Sequence, residues 1–260
     1  DTATAELGID MQQLCFEEND QLDQTEYTQA AMVTTSIAMT KVLESKGVKP
    51  DVTAGLSLGE YCALYAAGVM SEADAITTVR QRGILMQSEV PVGQGAMAAV
   101  LAMDAAAIEA VIADIDGVQI ANYNCPGQIV ISGSIEGINK ACELMKAAGA
   151  KRALPLKVGG AFHSPLMEPA KVELEAAINA TEFHTPKCPV YQNVDAKPYT
   201  DPAQIKANLV AQLTASVRWT QTVQNMIADG ADEFTECGPG AVLQGLIKKI
   251  NKEANAHGIE

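Results

Sequence analysis

The chain has 260 residues, 48% of them apolar, which is enough for one large domain, with or without a small insert. Its formal net charge of −14 argues against nucleic-acid binding, and no apolar run approaches the ~20 residues that span a bilayer, so neither partner is expected. The six cysteines are scattered without a C-x-x-C pair, which disfavours a metal site or a disulfide framework and indicates a reducing, cytoplasmic location.

The first third of the chain predicts helices around one short strand. Apolar side chains recur at helical spacing over residues 28–46, and residues 52–55 form a short apolar stretch that is typical of a buried strand. The alanine-rich segment after Ser57 predicts a helix to about Ala67. Ser71, with an acid three residues later, predicts the capped start of a second helix.

The middle of the chain predicts a small inserted unit. Its pattern reads strand–helix–strand–strand–helix–strand, which is the order of a ferredoxin-like unit. The predicted strands are 95–102, 118–121, 128–132 and 152–158, and the predicted helices are 104–115 and 135–148. Because this unit interrupts a larger domain, we expect segments with the boundaries 1–93, 94–159 and 160–260.

The last part of the chain returns to alternating helices and strands. The predicted elements are a helix at 165–179, a strand at 189–193, helices near 203–213 and 218–229, a strand at 233–236 and a final helix that opens at 238–240. Strands that alternate with helices imply a parallel sheet covered on both faces. The expected fold class is therefore α/β, with a parallel-sheet core and an inserted ferredoxin-like (βαββαβ) small domain.

A serine lies between two glycines at the first predicted strand-to-helix turn, in the sequence Gly55-Leu56-Ser57-Leu58-Gly59. A nucleophilic serine on such a sharp turn needs small neighbours, because bulky ones would clash with the backbone. The turn would lift the serine oxygen clear of the sheet and place the Leu58 N–H to stabilise an oxyanion. The alternative is a glycine-rich turn that contains a serine by chance.

The serine needs a base, and the chain offers only His163, His184 and His257. His184 lies in a polar connection and His257 in a polar tail. His163 follows a turn at residues 159–162, where the insert rejoins the larger domain, so we expect it at the mouth of an interdomain cleft. The acids considered as a third member lie within the insert, so we expect a Ser–His dyad held by a neutral group.

Five motifs follow one another along the chain. They are Gly55-Leu56-Ser57-Leu58-Gly59-Glu60, Arg82-Gly83, Asn122-Tyr123-Asn124-Cys125-Pro126-Gly127-Gln128, Ala161-Phe162-His163-Ser164 and Glu236-Cys237-Gly238-Pro239-Gly240. Their order and spacing closely resemble those of the malonyl-CoA:acyl carrier protein transacylase family across the whole chain. The joint match is far more specific than the first pentapeptide. It implies a hydrolase-like core with a ferredoxin-like insert, in agreement with the predicted elements.

The resemblance also implies roles for individual residues. Ser57 resembles the nucleophile, His163 its partner, and Gln212 the residue whose backbone carbonyl orients that histidine. Arg82 matches the arginine that pairs with the malonyl carboxylate, and a buried guanidinium suits this task because it presents two parallel donors. The alternative for Arg82 is a structural role in a surface ion pair.

Three further residues resemble parts of the family's acyl pocket. Asn122 and Asn124 match residues close to the substrate, although turn chemistry before Pro126 explains each asparagine equally well. Phe162 would narrow the pocket and favour malonyl over methylmalonyl groups. The resemblance implies no metal and no bound cofactor, since malonyl-CoA is a substrate.

The implied reaction moves a malonyl group from malonyl-CoA to the pantetheine thiol of acyl carrier protein, through a malonyl-serine ester, for fatty acid synthesis. Carrier proteins are strongly acidic, and residues 134–171 hold six basic residues against three acids. We therefore expect the carrier to dock near the basic residues of this segment. Five of the six form this expected docking surface, namely Lys140, Lys146, Lys151, Arg152 and Lys157.

Two departures from the family pattern bear on activity. Leu56 replaces a common histidine, so any role of that histidine is absent. The family's opening strand and its glycine-glutamine loop, which supplies the second oxyanion N–H, have no match in residues 1–30, so we expect the 260-residue chain to be poorly soluble or nearly inactive. Two other functions stay open: a serine esterase or thioesterase, which would have no use for Arg82, and an inactive acyltransferase domain that docks partners.

Overall fold

The structure, a computed structural model, describes residues 1–88, 94–156, 158 and 160–259. The helices are α1 Thr2–Leu7, α2 Met11–Phe16, α3 Thr25–Ser45, α4 Gly59–Ala66, α5 Glu72–Ser88, α6 Ala105–Ile112, α7 Ile135–Ala147, α8 Glu168–Ala180, α9 Pro202–Ala211, α10 Trp219–Ala228 and α11 Val242–Ile250. The strands are β1 Thr53–Ala54, β2 Gly95–Leu101, β3 Val118–Cys125, β4 Gln128–Ser134, β5 Arg152–Pro155, β6 Val190–Tyr191, β7 Pro198–Tyr199, β8 Glu233–Glu236 and β9 Asn255–Gly258.

The larger part is built on short parallel pairings with helices on both sides. Strand β1 pairs in parallel with β6, and β7 adds to the other edge of β6 in antiparallel orientation. Successive residues of β6 face opposite ways: Val190 packs into a core with α3, α5, α8 and α9, whereas Tyr191 packs into a second core with α10 and α11. Strands β8 and β9 form a separate parallel pair.

The inserted unit has the predicted ferredoxin-like order. Its four strands are antiparallel in the order β3-β4-β2-β5, and α6 and α7 cover one face through a shared apolar core. Strand β3 extends four residues beyond its predicted end, because two register shifts let it continue past Ile120. Strand β5 ends at Pro155, earlier than predicted.

Several short elements were missed or placed wrongly from the sequence. Helices α1 and α2 and strand β7 were not predicted, and residues 165–167 form a 3₁₀ turn before α8 rather than its first turn. The assignment of His257 to a polar tail was wrong, since it lies in β9. Each of these elements is six residues or fewer, too short for a periodic signal. Within the described part of the chain, no helix is both long and apolar enough to cross a membrane.

One glycine of the insert has no room for a side chain. A Cβ on Gly133, in β4, would lie 2.4 Å from the Gly117 carbonyl oxygen. We expect Gly133→Ala to lower the free energy of unfolding by about 1–3 kcal/mol, because the β3–β4 backbones must separate. Gly245 in α11 has open space around it, so Gly245→Ala should instead raise the free energy of unfolding by roughly 0.5–1 kcal/mol. Urea denaturation measures both changes, and equal effects would contradict the packing described.

Candidate active site

The turn between β1 and α4 carries Ser57 in a strained conformation. Ser57 has φ +54°, in the left-handed region that residues other than glycine rarely adopt. A Cβ on Gly55 would lie 1.9 Å from the Gly59 carbonyl oxygen, so the turn closes only with glycine at this position. A Cβ on Gly59 would meet nothing within 4 Å, so the expectation that both flanking glycines are sterically required is wrong for Gly59. The serine is thereby presented at the start of α4.

His163 lies against the Ser57 hydroxyl and is fixed by a backbone carbonyl. Its Nε2 is 2.7 Å from Ser57 Oγ, and its Nδ1 is 3.0 Å from the Gln212 carbonyl oxygen at the end of α9. A carbonyl only accepts, so Nδ1 carries the proton and Nε2 presents a lone pair to the serine hydroxyl. The geometry is that of a Ser–His pair oriented by a neutral group.

The loop that carries His163 is anchored from the inserted unit. The side-chain amide of Gln119, in β3, donates to the carbonyl oxygens of His163 and Thr214. His163 itself has φ +54°, so its backbone is held in a strained conformation like that of Ser57. The inserted unit therefore helps to fix the histidine.

Burial sets the protonation state of this histidine. His163 is 2% exposed, and burial, with a smaller contribution from the neighbouring Arg82 charge, lowers its pKa from 6.5 to about 4. At neutral pH the imidazole is therefore uncharged. An uncharged imidazole that faces a serine hydroxyl can accept its proton.

Arg82 brings a buried positive charge to the same serine. Its side chain is 1% exposed, and Nη2 donates to Ser57 Oγ at 2.9 Å. The other contacts are neutral: Nη1 donates to Gln29 Oε1 at 2.6 Å, and Nη2 also donates to Gln212 Oε1 at 3.2 Å. No carboxylate lies within 4.0 Å of this guanidinium among the described residues. Burial lowers the pKa of Arg82, as expected for a cation without a direct anionic partner.

The second arginine of α5 shows the contrast. Arg80 pairs with Glu26 at 2.6 Å and stacks over Tyr27 at 4.4 Å, on a face of the helix away from Ser57. Arg82 is buried and has no such pair among the described residues, so the surface ion pair considered for Arg82 is contradicted by the structure. A buried cation that is satisfied only by neutral acceptors is suited to an incoming anion.

A network of buried polar side chains beneath Ser57 was missed from the sequence. Glu60 is fully buried, and it accepts from Gln192 Nε2 at 3.0 Å, the Asn193 backbone N–H at 2.9 Å and Gln212 Nε2 at 3.1 Å. Burial raises the pKa of Glu60 to about 7, and these three donors act in the opposite direction. A signal was available, because Glu60 is the one charged side chain in the apolar segment from residue 52 to residue 71.

The remaining predicted site residues are Leu58, Asn122, Asn124 and Phe162, and none of their side chains forms a hydrogen bond with Ser57, His163 or Arg82. The Leu58 N–H precedes α4 and donates to no acceptor in the part of the chain that the structure describes. Asn122 is buried in β3, and Asn124 Oδ1 is buried without a partner among the described residues. Neither asparagine bonds to the Ser57, His163 or Arg82 side chains. Phe162 is half-buried against the insert's sheet, at Met97, Ala121 and Val130.

The other two histidines lie away from Ser57. His184 is largely exposed near Glu182, and His257 contacts Thr235 Oγ1 at 3.1 Å. Among the described residues, no group of three or more His, Cys, Asp or Glu side chains could hold a metal ion.

Comparison with known proteins places this geometry in a family. Residues 1–259 match the model of the acyl transferase domain. The chain is 47% identical over 257 residues to a malonyl CoA-acyl carrier protein transacylase of Bacillus subtilis (strain 168), covering 97% of this chain and 81% of that protein. It is 42% identical over 264 residues to the protein of the same name from Staphylococcus aureus (strain MW2), covering 100% and 85%.

Solved structures agree with these relatives. A crystal structure of an acyl carrier protein S-malonyltransferase from Vibrio cholerae superposes with a TM-score of 0.97 at 42% identity, covering 100% of this chain and 86% of that one. A malonyl-transacylase in complex with a type II PKS acyl-carrier protein gives a TM-score of 0.96 at 40% identity, covering 99% and 85%. The chain belongs to the acyl transferase domain family. The resemblance to its malonyl-CoA:acyl carrier protein transacylases, and the expected fold class, are confirmed.

The low pKa of His163 predicts how the reactivity of Ser57 depends on pH. Because the neutral form persists down to about pH 4, His163 should cause no fall in the rate of Ser57 modification by a fluorophosphonate probe between pH 8 and pH 5, and any fall near pH 7 that comes from Glu60 should be absent in Glu60→Gln. A loss centred near 6.5 that persists in Glu60→Gln would show that His163 titrates like an exposed histidine.

Folding must be checked at each pH by circular dichroism. The unfolded chain binds a proton at His163 near pH 6.5 and the folded chain only near 4, so this residue removes stability as the pH falls from 6.5 to 4. His257→Gln, at the half-exposed β9 histidine, is the matched control and should leave the profile unchanged.

Proposed function

We propose that this chain transfers a malonyl group from malonyl-CoA to the phosphopantetheine thiol of acyl carrier protein, through a malonyl ester of Ser57, for fatty acid biosynthesis. The observation that carries the proposal is the buried Arg82 guanidinium, 2.9 Å from Ser57 Oγ and without an anionic partner among the described residues. A guanidinium next to a nucleophile suits a short acyl group that ends in a carboxylate. The names of the relatives support the same reaction.

In the first half-reaction, Ser57 takes the malonyl group. His163 Nε2 accepts the hydroxyl proton across 2.7 Å while Oγ attacks the thioester carbonyl carbon. The Leu58 N–H stabilises the oxyanion that forms. When the carbon–sulfur bond breaks, the CoA thiolate takes the proton from His163 and leaves as the thiol.

In the second half-reaction, the carrier takes the malonyl group from Ser57. The pantetheine thiol gives its proton to His163 Nε2, and the sulfur attacks the ester carbonyl carbon. The carbon–oxygen bond to Ser57 breaks, and Oγ recovers the proton from His163. The enzyme returns to its starting state. Apart from the two substrates, the proposed steps use side chains and backbone groups of the protein alone.

Further parts of the proposal concern selectivity and location. Phe162 is held beside His163 by apolar contacts with the inserted unit, so its ring limits the space around the acyl α-carbon and favours malonyl over methylmalonyl groups. Asn122 and Asn124 are proposed substrate contacts, since Asn124 Oδ1 is left without a partner among the described residues. All six cysteines are free thiols, as suits the reducing cytoplasm in which we propose that the protein works.

The rival functions fit the site less well. In an esterase for neutral substrates, the charge of Arg82 would have no substrate group to bind. Its burial would still cost desolvation free energy. An inactive docking domain would have no reason to keep Ser57 strained and bonded to both His163 and Arg82.

The carrier is proposed to dock on the inserted unit. Lys140 and Lys146 are exposed on α7, and Lys151 and Arg152 are exposed at the start of β5. None of these four forms an ion pair with another described residue, so their charges are available to an acidic partner. Lys157, predicted to belong to the same surface, lies outside the described residues.

Intact-mass analysis after mixing with malonyl-CoA tests the proposed function. Preceded by the family's opening strand and glycine-glutamine loop, the chain should gain one malonyl group, and peptide mapping should place it on Ser57. Ser57→Ala should abolish the gain, whereas Ser45→Ala, at an exposed serine of α3, should not change it. Labelling that survives in Ser57→Ala would exclude Ser57 as the nucleophile.

Replacing Arg82 tests the carboxylate contact. Arg82→Ala should lower kcat/KM for malonyl-CoA, because the carboxylate would lose a buried charged partner. The fall should correspond to about 2–5 kcal/mol of lost transition-state stabilisation. Acetyl-CoA, which has no carboxylate, should lose far less or even improve. Arg80→Ala on the same helix is the matched control and should affect both substrates alike. An equal loss for both substrates in Arg82→Ala would mean that the residue is structural.

Charge reversal tests the docking surface. Lys140→Glu/Lys146→Glu should raise the KM for acyl carrier protein and weaken its dependence on salt, while malonylation by malonyl-CoA stays unchanged. Lys46→Glu/Lys49→Glu, at exposed residues remote from the insert, controls for net charge. An unchanged KM for acyl carrier protein in Lys140→Glu/Lys146→Glu would show that the carrier docks on another surface.

A further inference from the structure

The strained turn at Ser57 is held by the side chain of Asn193, which lies in the turn after β6. Asn193 Nδ2 donates to the Gly55 carbonyl oxygen at 2.7 Å, and Asn193 Oδ1 accepts from the Ser57 N–H at 2.7 Å. The two backbone partners fix the orientation of this amide, because one is an acceptor and the other a donor. The side chain therefore bridges both sides of the turn that presents the nucleophile.

A second amide supports the site from below. Gln212 Nε2 donates to the Ser57 carbonyl oxygen at 3.0 Å and to Glu60 Oε2 at 3.1 Å, which leaves Gln212 Oε1 to accept from Arg82 Nη2 at 3.2 Å. A flipped amide would turn its N–H groups toward the guanidinium. The orientation of the Gln212 side-chain amide therefore determines whether its oxygen, an acceptor, or its NH₂ group, a donor, faces Arg82.

Glu60 holds both amides in these positions. Its Oε2 accepts from the Asn193 backbone N–H and from Gln212 Nε2, and its Oε1 accepts from Gln192 Nε2. Every neighbour that bonds to this fully buried carboxylate is a donor, so the site matches an acceptor-only group. Among the described residues, the Glu60 carboxylate forms no hydrogen bond with Ser57 Oγ or the His163 ring.

We propose that Glu60 is a positioning residue for acyl transfer, whose carboxylate fixes Asn193 and Gln212 and through them the Ser57 turn and the Arg82 guanidinium. This inference rests on the proposed function. Glutamine at this position would present an NH₂ group to at least one N–H donor in either orientation, because each carboxylate oxygen already accepts at least one hydrogen bond. The donors would then move apart, and the nucleophile and the guanidinium would shift with them.

Glu60→Gln tests the proposal in the chain that carries the family's opening strand and loop. We expect kcat for malonyl transfer to fall about 10–100-fold, since small displacements of reacting groups have effects of this size. The KM for malonyl-CoA should rise less than kcat falls, because the displaced guanidinium keeps its charge while the nucleophile loses its alignment. The rate of Ser57 modification by a fluorophosphonate probe should fall in parallel, with the circular dichroism spectrum retained. Unchanged kcat and probe reactivity would overturn the proposal.

Two further variants separate positioning from general stability. Thr222→Val removes a buried hydroxyl in α10 and should lower the melting temperature without lowering kcat. Asn193→Ala should reproduce the loss of kcat at constant KM, and it keeps the test available if Glu60→Gln fails to fold. An unchanged kcat in Asn193→Ala would overturn the proposal.

The double variant Glu60→Gln/Asn193→Ala tests whether the two residues act together. If Glu60 acts through Asn193, the fold-loss of kcat in the double variant should be smaller than the product of the fold-losses in the two single variants. Fully multiplicative losses would mean that the residues act independently and would overturn the proposal. The proposed function fails on a different result, namely the absence of Ser57 malonylation in the protein that carries the family's opening strand and loop and no substitution.

Discussion

The Arg82 guanidinium, buried against Ser57 Oγ, is the interaction on which the site depends. A buried cation is costly unless its donors are satisfied, and among the described residues only neutral oxygens satisfy this one, from Ser57, Gln29 and Gln212. The same charge helps to lower the pKa of His163, so the histidine stays neutral and able to accept a proton. One residue thus prepares both a receptor for a carboxylate and a base.

Distant parts of the chain must meet around this guanidinium. Gln29 comes from α3, Arg82 from α5, Ser57 from the β1–α4 turn and Gln212 from the end of α9. The pairing of β1 with β6 brings the Ser57 turn close to Asn193, and the inserted unit anchors the backbone of His163 through its strand β3. The fold therefore explains why the site residues are spread over most of the sequence.

The sequence predicted those features that a local pattern or a motif carries. Alternating periodicity was enough for the order of the inserted unit, and a serine between glycines at a strand-to-helix junction was enough to select Ser57. The sequence did not predict β7 or β9, because strands of two and four residues are too short to show a periodic pattern. It also did not reveal Asn193, because its partners Gly55 and Ser57 lie more than 130 residues away in the chain. Long-range hydrogen bonds of this kind have no local signature.

A crystal structure of Ser57→Ala with malonyl-CoA would test most directly whether Arg82 receives the substrate. The account predicts that the malonyl carboxylate accepts two hydrogen bonds from the guanidinium, at about 2.7–2.9 Å, and displaces Gln29 Oε1 or Gln212 Oε1. A carboxylate that points to solvent, with Arg82 still bonded to both glutamines, would contradict it.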